Sequence, residues 1–564
     1  MKKIKNNIIG FLLKNKYLVL ILVLGAVLRF SYLNFVPPSL NWDEVSHGYN
    51  AYSILKTGKD EWGQAFPIAN FRAYGDYPLP LNLYLTIPFI AVFGLNEVAI
   101  RFPHAFLGTL TIVSVYFLAL GITKNRKIAL IGSFFAAIDP WLLFPSRAVF
   151  QSNLSVFFLT TAMAVFFNRE KNRWFTPISF LFLGSTLFSY HSTRIFSPLI
   201  LVGLLLIYRK EFIQKISRRS VEIVVSFAFI LLFFAPLPFI LLNPQARARS
   251  NVVFLIDQGA INQINDLRNS SKLPFKSLLY NKATYLSVNF ARNYINYFSP
   301  SFLFLKGGTQ YQFSVPNHGV LYLAELPFFY LGLFILIKKA IKDRDWRLLL
   351  LWLILAPIPA AITQDESALI RATTLLPIPQ ILSAVGLVEV IKRMPKYRVF
   401  VSLLFGGVMF ILLGNYLNVY ANSYRNNYSW AWQYGYKEVY SYANENSSQY
   451  EKIIVTKKYG EPHEFLLFFS GWSPEKYRND PNLIRFFQSN WYWVDRFDKF
   501  YFVNDWQIPK EGTTFVLESK KENVDCSKTK CLLITSPGNY PKGWKLLKTY
   551  DFLDGKKAFE IYSN

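Results

Sequence analysis

Residues 98–144 read VAIRFPHAFLGTLTIVSVYFLALGITKNRKIALIGSFFAAIDPWLLF. The apolar runs 98–121 and 128–144 each approach the roughly 20 residues that carry a helix across a hydrocarbon core about 30 Å thick. The six residues between them, 122–127, hold three basic side chains and no acid. Apolar runs parted by short basic loops recur from residue 17 to residue 416, and they set the class: a mainly α, polytopic helical membrane protein. Composition agrees, with 52% apolar, 18% aromatic and only 17% charged residues among 564. The charge of +26 (61 Lys and Arg against 35 Asp and Glu) would suggest nucleic acid in a soluble protein. Its location argues otherwise. The last 143 residues hold 20 basic and 17 acidic side chains, whereas the first 421 hold 41 and 18, set among the apolar runs. Intrinsic disorder and soluble nucleic-acid binding are both excluded.

Eleven spans are expected, at 17–35, 98–121, 128–144, 153–167, 174–190, 195–208, 221–242, 319–337, 348–363, 372–391 and 399–416. Lys and Arg collect on the cytoplasmic side. With eleven spans the segments 1–16, 122–127, 168–173, 209–219, 338–347 and 392–398 are cytoplasmic and carry 25 basic residues, while the short external loops 145–151, 191–194 and 364–371 carry one Arg each. A twelfth run, 79–95, is broken by Pro80 and Pro88. Counting it as a span would invert this pattern, so it reads as a helix along the outer surface. The localisation expected is the cytoplasmic membrane, multi-pass, with the N-terminus inside and the C-terminal region outside. The first run reads as a retained anchor, because Asn34-Phe35-Val36-Pro37-Pro38 follows it and not a small-residue cleavage site.

The division expected is a membrane domain, 1–421, with external loops 36–97 and 243–318, and a small extracytoplasmic α/β domain, 422–564. In the latter, 452–456 and 514–517 read as strands and 434–444 as a helix. Cys526 and Cys531, the only cysteines, have four residues between them. Outside the cytoplasm such a pair either closes a small disulfide loop or stays as two thiols, and spacing alone does not decide.

The first external loop is the most informative. A helix opens at Asn41-Trp42-Asp43-Glu44 and runs through His47 to Gly58, placing Asp43 and His47 on one face. An acid there can serve as N-cap, with Glu44 complementing the helix dipole. A second acid, Asp76, stands before a proline turn at a membrane surface, where a carboxylate needs a partner or a purpose. No histidine has metal-ligand spacing, and no Gly-rich phosphate loop supports nucleotide-driven chemistry.

These pieces in order (Asp43-Glu44, Gly75-Asp76-Tyr77-Pro78-Leu79-Pro80, Phe93-Gly94-Leu95-Asn96-Glu97, Arg101-Phe102-Pro103, Pro140-Trp141, Ser146-Arg147 and Tyr190-His191-Ser192-Thr193-Arg194) resemble GT-C glycosyltransferases. The likeness is to the family 39 group of protein mannosyltransferases and lipid A aminoarabinose transferases, over residues 15–420 and most strongly over 36–200. It implies a GT-C fold and transfer of a sugar, hexose or pentose, from a polyprenyl-phosphate-linked donor to a hydroxyl acceptor on a protein, lipid glycan or cell-wall polymer at the outer membrane face. Asp43 would be the base, Asp76 a second acid near sugar or acceptor, and Glu44 a supporting residue. His47, Tyr77 and His191 would line the substrate. The leaving phosphate needs cations, and Arg147, Arg194, Arg247 and Arg249 are placed for it, with snorkelling at a helix end the alternative for the first two. Membrane lipids are expected partners and nucleic acid is not. No cofactor is expected. A divalent cation has little to bind, since Gln151 stands near where oligosaccharyltransferases place an acid. The soluble tail adds no chemistry on this reading. The competing class is a transporter or flippase of a lipid-linked glycan, which would place acids mid-span and show paired repeats.

Overall fold

A computed structural model describes residues 15–245, 252–519 and 522–564. The chain divides into two compact units. One takes the described residues up to Ser31 together with His104–Leu417, and the other takes Tyr32–Pro103 with Asn418–Asn564. The expected division kept loop 36–97 with the membrane part. In the structure that loop shares a unit with the C-terminal region, because the two bury side chains against each other.

The first unit is helical. Among the described residues, Glu97–Thr123, Val221–Leu242 and Pro395–Asn427 are single helices long and apolar enough to cross a membrane. Arg126–Ile138 and Pro140–Arg147 together make a broken apolar pair bent by 63°, and Gln151–Phe167, Phe175–Phe188 and His191–Ile207 are shorter apolar helices. The chain is thus a multi-pass helical membrane protein, and several of the eleven expected runs are divided rather than continuous. Proline is one cause: Pro140 begins a new turn where its missing N–H and its ring interrupt the preceding helix. The helices Leu326–Ala340 and Ile378–Arg393 meet through Gly332 and Gly386. A Cβ on either would stand 2.0 Å from a carbonyl oxygen of the other helix, so only glycine permits this approach.

Arg29 and Arg147, the latter left by the sequence between phosphate contact and snorkelling, are both built into this unit. Arg29 is fully buried, and its guanidinium donates to the carbonyls of Ala136 and Ala137 at 2.9 Å, at the end of the Arg126–Ile138 helix. Arg147 donates to Leu28 O, to Arg29 O at 3.3 Å and to Ser31 O at 2.7 Å, at the end of the Lys16–Phe30 helix. Carbonyls at a helix C-terminus lack intrahelical donors and favour a cation.

In the second unit the helix expected over 42–58 spans Trp42–Thr57 and ends at Gly58. Its cap is Asn41, not Asp43. The Asn41 side chain accepts from Glu44 N at 3.0 Å, and the Glu44 carboxylate accepts from Asn41 N at 3.2 Å. Asp43, two residues past the cap, accepts from the Tyr74 hydroxyl instead. The run 79–95 forms a 13-residue helix, Leu81–Phe93.

The C-terminal region forms a mixed seven-stranded sheet. Its strands are β1 (Lys452–Thr456), β2 (Ile484–Gln488), β3 (Trp491–Phe497), β4 (Phe500–Val503), β7 (Cys531–Thr535), β8 (Lys545–Asp551) and β9 (Lys557–Ser563), in the order β2-β3-β4-β1-β7-β9-β8. A separate two-stranded ladder pairs β5 (Thr514–Val516) with β6 (Asn523–Asp525). The central strands β4, β1 and β7 are parallel, with Ile453 opposite both Phe500 and Leu532. β1 covers the residues expected, β5 is one residue shorter, and the helix expected over 434–444 is Tyr436–Glu445. Cys526 and Cys531 are joined in a buried disulfide linking the end of β6 to the start of β7.

Candidate functional site

Asp43 sits in the first turn of the Trp42–Thr57 helix, half-buried, where free backbone N–H groups favour negative charge. One oxygen accepts a hydrogen bond from the Tyr74 hydroxyl. The main-chain oxygen of Asp43 pairs with Nδ1 of His47, one turn on. Asp76 lies in the tip of a narrow loop closed by Phe71 N to Pro78 O and Ala73 N to Asp76 O, both 3.1 Å. Its carboxylate accepts from Tyr77 N at 2.8 Å. Asp43 and Asp76 both act on the His47 ring: their charges favour the imidazolium, but burial outweighs them and holds His47 below its ordinary pKa. The histidine is therefore neutral at pH 7. Tyr74 is pushed well above the usual tyrosine range, by burial first and by Asp43 second, so it keeps its proton and remains a donor. Asp43, Asp76, His47 and Tyr77 thus share one unit and one neighbourhood.

Glu44, one residue from Asp43, does something else. Its carboxylate is fully buried and receives Nε and Nη2 of Arg101, each at 2.8 Å. Arg101 also donates to the carbonyls of Leu33, Pro37 and Ser39. This forked pair fastens the helix start to the chain that enters it.

The C-terminal region completes the surroundings of Asp43, which the sequence reading missed. Trp491, at the start of β3, stacks on Tyr74 with centroids 5.0 Å apart and 24° between planes. Its indole N–H donates to Glu461. Tyr492 N donates to Tyr74 O, and the Tyr492 hydroxyl lies 3.3 Å from that of Tyr77. Gly75 lies against the Trp491 ring, and a Cβ there would be 2.2 Å from it. Gly75→Ala is expected to push the loop off the indole and lower thermal stability by about 1–3 kcal/mol, read as a drop in melting temperature of the detergent-solubilised protein. An unchanged melting temperature would mean the loop does not rest on Trp491.

Behind Trp491 lies a buried group of Glu61, Glu461, His463 and Glu464, each no more than 3% exposed. The ligand atoms of Glu61, His463 and Glu464 fall within 4.8 Å of one another, the one group among the described residues with the make-up of a divalent-cation site. Burial pushes Glu61 and Glu464 up, the two carboxyls facing each other, and pushes Glu461 to about 8. Burial, with Arg485 and Lys457 nearby, holds His463 well below the imidazole range. The signs are opposite. Neutral His47 and His463 favour folding less as pH falls below 6.5, and are silent above it. The glutamates keep protons in the fold that they would release unfolded, so their contribution is complete near pH 4.5 and is lost as pH rises toward 8. With EDTA present, stability is expected to fall by about 2 kcal/mol or more between pH 6.5 and 8, and Glu461→Gln should flatten the slope. A melting temperature that rises over that interval would contradict the assignment.

The first unit holds the other residues singled out by sequence. Arg147 contributes the carbonyl contacts above. Arg194 is 4% exposed, with Nε donating to Leu187 O at 3.0 Å. His191 begins the His191–Ile207 helix. Arg247 and Arg249 lie outside the described residues. Of the loop expected over 243–318, the described part folds chiefly as the helices Gln258–Ser270 and Lys282–Asn296.

Residues 19–254 match the family described as dolichyl-phosphate-mannose-protein mannosyltransferase. No curated protein sequence matches significantly. Among solved structures, the apo oligosaccharyltransferase of Archaeoglobus fulgidus is similar with a TM-score of 0.49 and 16% identity, over 81% of this chain and 63% of that one, so this chain spans less than two thirds of its length. ArnT from Cupriavidus metallidurans, bound to undecaprenyl phosphate, gives 0.47 and 12%, over 97% of this chain and 98% of that one. The S. cerevisiae protein O-mannosyltransferase Pmt1-Pmt2 complex, bound to its sugar donor, gives 0.31 and 21%, over 46% and 37%. The family match contains Asp43, Asp76, Arg147 and Arg194 and spans less than half of the chain.

Proposed function

We propose that the protein transfers a sugar from a polyprenyl-phosphate-linked donor to a hydroxyl acceptor at the outer face of the cytoplasmic membrane, with its N-terminus inside and its C-terminal region outside. The bond from the anomeric carbon to the donor phosphate breaks, and a bond to the acceptor oxygen forms. The hydroxyl proton passes to Asp43 and then to solvent, and polyprenyl phosphate leaves. Tyr74 donates to one Asp43 oxygen and so orients the carboxylate that takes the acceptor proton. Asp76 supports the positive charge that grows on the sugar ring. Arg194, Arg247 and Arg249 are the proposed phosphate partners, whereas both terminal nitrogens of Arg147 are held by main-chain carbonyls. Tyr77, His47 and His191 would line the sugar, and Glu44 supports Asp43 through the helix start it fastens.

The observation that carries this reading is the placement of two half-buried carboxylates about one neutral histidine, one of them held by a tyrosine hydroxyl. The family matched over residues 19–254 is named for chemistry of this kind. The test is direct. Purified protein in lipid vesicles is given a panel of undecaprenyl-phosphate-linked hexoses and pentoses, and release of undecaprenyl phosphate is measured with and without added protein, lipid and polysaccharide acceptors. Acceptor-dependent release from one donor supports transfer. Movement of labelled donor across the bilayer with no release from any donor would support the flippase reading and overturn this one.

A further inference from the structure

The parallel strands β4, β1 and β7 end side by side, and the residues just past their ends enclose an open groove of about 660 Å³. Lys457 and Lys458 follow β1, Asn504 to Trp506 follow β4, and Ser536 to Asn539 follow β7. Ligands of α/β sheets bind at this end of the strands, because the turns that leave neighbouring strands bring polar groups together there. A second hollow of about 480 Å³ shares Asn504 and Trp506 with the first.

The floor is tied together across all three strands. Asp505 accepts from Thr456 at 2.9 Å and from Ser536 at 3.0 Å. Asn539 donates to Asp505 O at 2.7 Å and accepts from Lys510 Nζ at 2.9 Å. Over this rigid polar floor stands Trp506, 81% exposed, the most exposed large apolar side chain among the described residues. An indole held in water beside fixed amide, hydroxyl, carboxylate and ammonium groups matches the two faces of a sugar: an apolar C–H face to stack and a rim of hydroxyls to pair. Other ligands fit less well. A nucleotide phosphate would need free backbone N–H groups, but Gly538 N already donates to Glu560 at 2.8 Å, and the carboxylates of Asp505 and Glu518 line the two hollows. A peptide added as a strand would need a sheet edge, and this groove lies at strand ends.

We propose that the groove is a carbohydrate-binding site in which Trp506 is the stacking platform and Asn539 and Lys510 pair with sugar hydroxyls. Because the indole belongs to both hollows, the site suits a linear oligosaccharide lying along both rather than a single sugar. None of the residues lining either hollow has a part in the transfer reaction proposed above, and binding there does not depend on it.

The test measures binding, not transfer. Full-length protein in detergent is titrated with chitotetraose, mannotetraose and maltoheptaose, followed by intrinsic tryptophan fluorescence and saturation-transfer difference NMR. At least one is expected to bind, with affinity at least tenfold weaker in Trp506→Ala and measurably weaker in Asn539→Ala. Melting temperature should be unchanged in Trp506→Ala, since the ring packs against little. Failure of all three sugars to bind at millimolar concentration, or binding that Trp506→Ala leaves intact, would overturn the proposal. Either result can occur whether or not Asp43 proves catalytic, so the two readings fail separately.

Discussion

Asp43→Asn is expected to lower the rate of sugar transfer by roughly 10²- to 10⁴-fold, the usual contribution of a positioned general base. The change is nearly isosteric, and an amide oxygen can still accept the Tyr74 hydroxyl, so the fold and the helix start should survive. What disappears is the ability to take a proton from the acceptor. The loss should therefore fall on kcat and leave KM for the donor largely unchanged. Asp76→Asn is the companion measurement. If Asp43→Asn kept wild-type turnover in vesicles carrying the true donor, the base would have to lie elsewhere and the catalytic assignment would fall.

Glu44→Gln is expected to destabilise the protein by about 3–5 kcal/mol, the range found when one partner of a buried ion pair is removed. Arg101 would remain in place with 1% side-chain exposure and no opposite charge. Its remaining contacts are three backbone carbonyls, which accept hydrogen bonds but carry no full charge. The measurement is thermal or denaturant unfolding in detergent, and Glu44→Gln combined with Arg101→Met should recover much of the loss, since the stranded charge is then gone. A single-mutant effect below about 1 kcal/mol would show that the pair is solvated. This experiment also separates Glu44 from Asp43: neighbours in sequence, one should act mainly on stability and the other on rate.

These two residues show how much of the site sequence could and could not reveal. Apolar run length, proline breaks and the order of short motifs pointed to the helix at 42–57, to Asp43 and to Asp76, because each of those signals is local. Which residue caps the helix was misplaced by two positions. Asn41, Asp43 and Glu44 all suit a helix start by type, and only the backbone entering it at Asn41 decides among them. Arg147 carried a two-way reading for a similar reason. A basic residue at the end of an apolar run is compatible with lipid, phosphate or carbonyl partners, and its contacts with Leu28, Arg29 and Ser31 come from a helix more than a hundred residues earlier. The C-terminal region was expected to add no chemistry, yet Trp491 stacks on the tyrosine that holds Asp43. No short motif marks it, since its place depends on β3 packing beside a loop about four hundred residues away in sequence.

Sequence by itself determined the class of molecule, the rhythm of its apolar helices, the α/β character of its C-terminal region and the first helix of its external loop. Lipid and helix geometry impose rules over a few to twenty neighbouring residues, and such rules are written along the chain. Tertiary structure alone decided that Glu44 belongs to Arg101, that Tyr74 and Trp491 support Asp43, that Glu61 meets Glu464 in a buried group, and that three strand ends build a groove beneath Trp506. Each of these joins residues from 31 to about 400 positions apart, and only packing of the folded chain brings them within reach.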